Sequence, residues 1–288
     1  MTSTRRRAVA LLVGLALGAA VAACGGDDGD AAEPSSTATA PLVAVALGDS
    51  FAAGAGAPPY DDGSASCTRS PEAWALQLAT DSPGIASLDH RACGGAKTEH
   101  LTGRWADRNL PAQIAAAPDR KVTLVLLVIG GNDVGFSGVV GACVLFACPS
   151  PTDAGFVAKL ATLESTLTST VYPAVERAYP NARIVHVGYP RLTPAPGEPV
   201  VGCPWLPPDD QAAAGATIDA LNQTVEEAAE AADVTYVDTS TALAGHELCS
   251  DASWVRAIGE ESQVHPTADG HVAMERTVAE ELHLTITS

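Results

Sequence analysis

The sequence predicts an α/β protein with a three-layer α/β/α fold, in which helices cover both faces of a parallel sheet of about five strands. Two observations support this fold class. Short apolar runs alternate along the chain with longer segments of helical pattern, which is the order that a parallel sheet with crossover helices requires. The run at residues 122–129 is apolar throughout, as expected of a strand that is buried on both faces.

The predicted elements follow one another in a regular order. Strands are predicted at residues 42–47, 86–92, 122–129, 183–187 and 234–237. Helices are predicted at residues 70–80, 153–179 (interrupted near Pro173), 209–232 and 266–282. Pro71 and Pro266 suit a first helical turn, where the missing proline N–H has no intrahelical partner to lose. Two stretches rich in Pro, Gly and Cys, at residues 135–151 and 190–208, are expected to be surface loops that shape a cleft.

Composition limits the classes of function. The 288 residues are 47% hydrophobic and 17% charged, which is sufficient for one globular domain with a buried core. The formal net charge is -18. Such a chain repels phosphate backbones, so nucleic-acid binding is not expected, and it gains nothing from an anionic membrane surface.

The N-terminus predicts export. Arginines at residues 5–7 precede a short apolar run, which together are typical of a secretory signal peptide at residues 1–23. The small residues before Cys24 resemble the bacterial lipobox, which implies cleavage before Cys24 and lipidation of its sulfur. An ordinary signal peptide that ends near a cysteine is the alternative. Residues 24–41 are predicted to be a flexible tether to a domain at residues 42–288, so the protein would be secreted or held at the cell envelope by its lipid.

The cysteine count agrees with export. Of the seven cysteines, setting Cys24 aside leaves Cys67, Cys93, Cys143, Cys148, Cys203 and Cys249. An even number in an exported chain favours three disulfides, although six cysteines allow about 15 pairings and the count does not choose among them. A metal site is the alternative, but the chain has no Cys-x-x-Cys or His-x-x-x-His pair. No metal or organic cofactor is therefore expected.

Three glycine-rich turns that follow predicted strands carry Ser50, Gly95 and Asn132. A fourth polar residue, His265, lies in the loop after the last predicted strand. Because ligands collect at the carboxyl ends of the strands in an open parallel sheet, we expect these residues to lie together. Taken singly, each motif is more simply a turn former. Their order, each after its own strand, favours a common site.

The four turns fall in motif blocks at residues 46–54, 92–96, 130–133 and 264–266, the first of which contains Gly-Asp-Ser at residues 48–50. In these blocks the chain resembles the SGNH hydrolases, the GDSL family of esterases and lipases, over nearly all of residues 43–282. The resemblance implies a flavodoxin-like SGNH hydrolase fold and a carboxylic ester hydrolase with Ser50 as nucleophile and His265 as base. It implies an oxyanion hole at Ser50, Gly95 and Asn132. By analogy with the three-disulfide actinobacterial lipases of this family, the disulfide pairs would be Cys67–Cys93, Cys143–Cys148 and Cys203–Cys249.

These residue types also fit acyl transfer on chemical grounds alone. A serine hydroxyl is a weak nucleophile until a base removes its proton, which a histidine can do near neutral pH. The developing oxyanion requires fixed donors, which the backbone N–H groups of Ser50 and Gly95 and the amide of Asn132 can supply. Among the seven histidines only His265 precedes a proline, which places it at a loop-to-helix junction. His186 lies in a predicted strand and is expected in the core.

The last block departs from the family pattern at one position. The family's aspartate, three residues before the histidine, is replaced here by Ser262. Some actinobacterial members orient the histidine with a main-chain carbonyl near this position. By this analogy we expect the carbonyl of Ser262 to hold the Nδ1 proton of His265, with Glu260 and Glu261 as the alternatives.

The two aspartates of the motif blocks are expected to be structural. Asp49 would tie the turn that carries the serine, and Asp133 would act as a helix cap or turn residue.

The sequence thus favours a lipase or esterase that forms an acyl-Ser50 intermediate and acts as a monomer on lipid or acyl esters. A phospholipase or a carbohydrate deacetylase would use the same residues. A non-catalytic envelope lipoprotein that binds a ligand in the cleft is the alternative from a different class. Such a binding protein need not keep all four polar residues.

Overall fold

A computed structural model describes residues 40–136, 143, 148, 150–195, 203 and 205–287 of the chain. The predicted signal peptide, Cys24 and nearly all of the predicted tether lie outside these residues. The strands are β1 (Leu42–Gly48), β2 (Ile85–His90), β3 (Leu124–Val128), β4 (Arg183–Val187) and β5 (Thr235–Val237). They form one parallel sheet in the order β2-β1-β3-β4-β5, which confirms the predicted sheet.

The described helices are α1 (Ser50–Ala53), α2 (Trp74–Asp81), α3 (Thr98–Thr102), α4 (Gly131–Val134), α5 (Ala154–Thr166), α6 (Tyr172–Ala178), α7 (Pro208–Ala231) and α8 (Ala268–Glu281). Short 3-10 turns lie at Asp62–Cys67 and Ala106–Arg108. Helix α2 packs against α8, and α5 packs against α7. These two helical layers enclose the sheet, as the predicted three-layer α/β/α fold requires.

Two helices begin later than predicted, and in each case the proline expected in the first turn lies in the preceding loop. Helix α2 starts at Trp74, because the hydroxyl of Ser70 accepts a hydrogen bond from the N–H of Glu72 and forms a turn around Pro71. Helix α8 starts after Pro266, because the hydroxyl of Thr267 caps it by accepting from the N–H of Gly270.

The predicted interruption near Pro173 is a π-helical turn at Leu167–Val171, directly before α6. Proline lacks the N–H that an α-helix needs, and its ring crowds the preceding turn. A widened turn at this point removes both conflicts, so α5 and α6 follow one another without an intervening loop.

Strand β3 is the centre of the core, since all five of its residues are buried. The three predicted disulfides are present, joining Cys67 to Cys93, Cys143 to Cys148 and Cys203 to Cys249. Within the part of the chain that the structure describes, no helix is long and apolar enough to cross a membrane.

Candidate active site

In the strand order β2-β1-β3-β4-β5, the chain adds β2 on one side of β1 and adds β4 and β5 on the far side of β3, so the topological switch point lies between β1 and β3. In such sheets the crevice beyond the carboxyl ends of these strands is where ligands bind. The turn after β1 carries Ser50, and the turn after β3 carries Asn132.

The turn after β1 is built around Gly48. Its φ is +134°, and a Cβ at this position would lie 1.9 Å from the carbonyl oxygen of Val128. No side chain fits there, so β1 and β3 approach one another as only glycine permits. Asp49 then caps α1, its Oδ1 accepting from the N–H of Phe51 at 3.0 Å. Ser50 is therefore the first residue of a short helix whose start is fixed, and Asp49 is structural as expected.

Ser50 and His265 are in direct contact. The Oγ of Ser50 lies 2.7 Å from Nε2 of His265. The other ring nitrogen, Nδ1, lies 2.9 Å from the main-chain carbonyl oxygen of Gln263. Since a carbonyl only accepts, Nδ1 carries the proton and Nε2 is free to accept the serine hydroxyl. A neutral histidine in this tautomer can take the proton of a serine that attacks an electrophile.

Burial decides the protonation state of His265. Desolvation lowers its pKa below the ordinary value, while the carbonyls of Gln263 and, more weakly, Ser262 raise it. Desolvation has the larger effect, so the pKa of His265 is lowered. The imidazole therefore stays neutral, and able to act as a base, into mildly acidic solution.

The expectation that the Ser262 carbonyl would make the hydrogen bond to His265 is wrong by one residue. Both Ser262 and Val264 have left-handed backbone, with φ of +53° and +59°. This local winding brings the carbonyl of Gln263 opposite Nδ1 instead. A β-branched residue such as Val264 rarely adopts a positive φ, so the loop is strained where it presents the imidazole.

Ser262 has a different role, in tying the histidine loop to the loop after α1. Its Oγ accepts from the hydroxyl of Tyr60 at 2.8 Å, and that hydroxyl accepts from the N–H of Gly56 at 3.0 Å. Arg256 forms a second tie, since its Nε donates to the carbonyl of Gly56 at 2.7 Å. The two loops that carry Ser50 and His265 are therefore held to each other by side chains from both.

The alternative acids do not reach the imidazole. Glu260 accepts from the N–H of Ala257 at 2.9 Å and so closes its own turn. Among the residues that the structure describes, no carboxylate is hydrogen-bonded to His265.

The turns that carry Gly95 and Asn132 are joined to each other. The side-chain Nδ2 of Asn132 donates to the carbonyl of Ala96 at 2.9 Å. Asp133 accepts from the N–H of Thr98 at 3.1 Å and from its hydroxyl at 2.5 Å. Asp133 therefore caps α3, a helix distant in sequence, which agrees with its expected structural role.

Two backbone donors near this junction remain free. The N–H groups of Ser50 and Gly95 have no hydrogen-bond acceptor within the described part of the chain. One hydrogen of the Asn132 amide is likewise left after its bond to Ala96.

A cavity of about 440 Å³ opens at this place, and its walls include Ser50, Asn132 and His265. The predicted site residues are thus brought together, with Gly95 attached to the wall through Ala96 rather than lining the cavity. Phe136 and Val264 also line a narrower apolar cavity beside the first. The other walls of this second cavity include Leu192, Ile218, Leu248 and Ile258.

Sequence reasoning missed three residues that hold the serine turn. Tyr189 donates from its hydroxyl to Oδ2 of Asp49 and accepts from the N–H of Gly131 at 2.9 Å. Asn222 fixes Tyr189 by pairing with both its N–H and its carbonyl, each at 2.8 Å. Burial raises the pKa of Asp49 to about 7, against the lowering effect of its bond from Tyr189.

The third missed residue is Gln113. Its Oε1 accepts from the N–H of Gly48 at 2.7 Å, and its Nε2 donates to the carbonyl of Gly48 at 2.8 Å. The Gln113 side-chain amide thus pairs with the backbone of Gly48 as a residue of a neighbouring strand would. Its position on an irregular segment, 65 residues along the chain, carries no sequence signal.

The remaining histidines are structural where the structure shows them. His186 is in the core, as predicted, and is paired with the hydroxyl of Tyr172 at 2.8 Å. His271 is fully buried on α8, and its Nε2 lies 3.2 Å from the carbonyl of Ala55. Burial lowers the pKa of each to about 4. Among the described residues, no group of three or more His, Cys, Asp or Glu side chains is placed to hold a metal ion.

Matches to known proteins identify the class to which this site belongs. The fold and the extent of the matches place the chain among the serine ester hydrolases. Residues 46–273 match the GDSL-like lipase/acylhydrolase family, and the chain belongs to that family.

Individual relatives agree with this assignment. Lipase 1 of Streptomyces coelicolor is 34% identical over 280 residues, which cover 92% of this chain and 94% of that protein. The crystal structure of phospholipase A1 from Streptomyces albidoflavus NA297 has a TM-score of 0.64 at 32% identity, covering 84% of this chain and 99% of that one. The extracellular lipase of Streptomyces rimosus has a TM-score of 0.63 at 28% identity, covering 83% and 99%.

Proposed function

We propose that this protein hydrolyses carboxylic esters of acyl chains through an acyl-serine intermediate on Ser50. The observation that carries the proposal is the 2.7 Å contact between the serine Oγ and Nε2 of His265, at the wall of an open cavity. His265 accepts the serine proton as Oγ attacks the ester carbonyl, and then donates it to the leaving alcohol. Water then attacks the carbonyl of the acyl-serine ester with His265 again as the base, which releases the acid and restores Ser50.

The charge that develops on the carbonyl oxygen needs donors fixed in advance. The free N–H groups of Ser50 and Gly95 and the remaining amide hydrogen of Asn132 are the proposed donors. Removing one donor of an oxyanion hole typically costs about 2.7–4 kcal/mol in barrier height. Within the described residues no acid is bonded to His265, and the main-chain carbonyl of Gln263 holds the histidine in the required tautomer.

Apolar space beside the serine supports an acyl substrate. The narrow cavity that shares Phe136 and Val264 with the open one is lined mainly by apolar side chains and holds about 30 Å³, so it suits the end of a hydrocarbon chain rather than a sugar. This observation favours lipid and acyl esters over acetylated carbohydrate.

The test is a panel of p-nitrophenyl esters of graded acyl length, with phospholipid and acetylated-sugar substrates beside it. We expect wild type to be active and the variants Ser50→Ala and His265→Ala to lose kcat by about a thousandfold or more. Ser165→Ala, on the exposed face of α5, is the matched control and should retain full activity. If wild type turns over no ester while binding lipid, the chain is a non-catalytic binding protein.

Export and a lipid anchor on Cys24 belong to the same proposal. A relative described as extracellular supports export. Mass spectrometry of the mature N-terminus is the direct test, since a diacylglycerol on Cys24 adds a defined mass. A mature chain that begins at another residue and carries no lipid would rule out the anchor on Cys24. The proposed ester hydrolysis would stand.

A further inference from the structure

The peptide unit between Gly94 and Gly95 has two ends with different neighbours. Its N–H, on Gly95, is a proposed oxyanion donor. Its C=O, on Gly94, points the opposite way within the peptide plane, because the N–H and C=O of a trans peptide are antiparallel. Whatever fixes the carbonyl of Gly94 therefore also fixes the direction of the Gly95 N–H.

This peptide is the middle of a tight turn. The N–H of Ala96 donates to the carbonyl of Cys93 at 3.0 Å, and Gly95 has a φ of +81°. These are features of a type II turn, in which the third residue needs a positive φ. Type I and type II turns differ mainly by a flip of the middle peptide. Because both central residues are glycine, there is no side chain at either position to oppose that flip.

Arg108 holds the carbonyl end of this peptide. Its Nη1 donates to the carbonyl of Gly94 at 2.8 Å and to the carbonyl of Ser66 at 2.8 Å. The guanidinium also lies 4.1 Å from the ring centroid of Trp105, which is itself stacked on His100 at 3.9 Å. The cation therefore has a fixed position on an aromatic face and is not a freely moving surface charge.

A charged donor does more than fix the geometry. Hydrogen bonds from an ionised group are about twice as strong as neutral ones, and a bond to the carbonyl polarises the rest of the peptide. The Gly95 N–H becomes a better donor as a result. Both effects act on the Gly95 N–H, which is the proposed oxyanion donor.

We propose that Arg108 is a positioning residue for the oxyanion hole, which it serves by locking the Gly94–Gly95 peptide in its type II orientation. The inference rests on the proposed function of Ser50. Nothing in the sequence marks Arg108, which is exposed at the end of a 3-10 turn and outside the motif blocks. Its exposure makes the inference testable, because removing an exposed side chain seldom affects folding.

The experiment compares Arg108→Ala and Arg108→Lys with Arg104→Ala. Arg104 is the matched control, since it is also exposed, lies on the same loop and is bonded to Asn109 instead of the glycine turn. We expect Arg108→Ala to lower kcat by about tenfold or more, but less than the hundredfold to thousandfold typical of deleting a donor. KM and Tm should stay near wild type, because the lock acts on the transition state.

Two further measurements separate positioning from general damage. Arg108→Lys should retain more activity than Arg108→Ala, since an ammonium can still reach the Gly94 carbonyl. Millimolar guanidinium should partly restore kcat in Arg108→Ala and leave Arg104→Ala unchanged. The rate of Ser50 labelling by a p-nitrophenyl alkylphosphonate should fall in parallel with kcat.

The proposal is overturned if Arg108→Ala matches Arg104→Ala in kcat, or if its loss of kcat is explained by an equal loss of folded protein. In either case an active wild type and an inactive Ser50→Ala leave the proposed function intact. If wild type neither turns over esters nor reacts with the phosphonate, the proposed function fails, and the role of Arg108 fails with it.

Discussion

The hydroxyl of Tyr189 donates a 2.5 Å hydrogen bond to Oδ2 of Asp49, 140 positions earlier in the chain. Both side chains are buried. The same hydroxyl accepts from the N–H of Gly131, so a single phenol connects the turn that carries Ser50 to the turn that carries Asn132. The two halves of the site are therefore positioned through one buried oxygen atom.

Replacing that oxygen should destabilise the protein. Tyr189→Phe leaves the Asp49 carboxyl with one fewer donor and the Gly131 N–H without an acceptor, which should cost about 1.5–3 kcal/mol in the free energy of unfolding. Urea unfolding at pH 8 measures this. Tyr236→Phe is the control, because the hydroxyl of Tyr236 has no hydrogen-bond partner in the described part of the chain. Equal stability of the two variants would show that the Tyr189 bond contributes nothing.

The acid limb of the pH–rate profile should lie below the ordinary histidine pKa. Burial lowers the pKa of His265, so its neutral form persists at pH values where an exposed imidazole would be protonated. The midpoint of kcat/KM on the acid side is expected below about 6.5, the reference pKa of histidine. Esters without ionisable groups should be used. A midpoint at or above the reference value contradicts this burial argument.

Stability should fall in acid for a different reason. His186 and His271 have folded-state pKa values of about 4, below the unfolded value of 6.5. The stability that each contributes is therefore complete above pH 6.5 and is lost as the pH falls towards 4. Each of the two histidines contributes on the order of 3 kcal/mol between pH 6.5 and pH 4.

Asp49 acts with the opposite sign. Burial raises the pKa of Asp49 in the folded protein to about 7, above its ordinary value of 3.8, so its contribution is present in acid and is lost as the pH rises to 7. The combined effect of His186 and His271 on the free energy of unfolding exceeds the opposite effect of Asp49. Net stability should therefore rise between pH 4 and 6.5. His271→Gln should reduce this slope. An unchanged slope in His271→Gln would contradict the assignment.

Acyl-chain preference should depend on Phe136, because its side chain lines both the open cavity and the narrow apolar one. Phe136→Ala enlarges the apolar space at this place, and the ratio of kcat/KM for longer over shorter esters should rise by several-fold. Val157→Ala, exposed on α5, is the control. A uniform loss across all chain lengths would instead indicate that Phe136 only supports the fold.

No acid should be needed to orient the histidine. Glu260→Ala and Glu261→Ala are expected to keep kcat within about twofold of wild type, because Nδ1 of His265 is already bonded to the Gln263 carbonyl. Ester hydrolysis at saturating substrate is the measurement. A loss in either variant that approaches that of His265→Ala would make the site a triad.

The sequence was sufficient for the strands and for the meeting of Ser50 with His265, since both follow from apolar periodicity and from the rule that strand ends share one edge. It was not sufficient for Tyr189, Gln113 or Arg108. Each acts on a turn that lies far away in the chain, and only the packed structure brings the partners together.

The choice between two neighbouring carbonyls was also beyond the sequence. Gln263 and not Ser262 faces His265 because of two left-handed residues, and neither is a glycine that would have signalled a positive φ. Conformations of this kind are imposed by surrounding contacts. They are therefore invisible to local propensity.

The bridge between Cys67 and Cys93 ends one residue before Gly94. Oxidation of two thiols is thus part of assembling the donor turn. A newly synthesised chain in a reducing cytosol would lack this covalent support, and would gain it only where disulfides can form. The covalent support of the turn that carries Gly95 would therefore be complete only in an oxidising compartment.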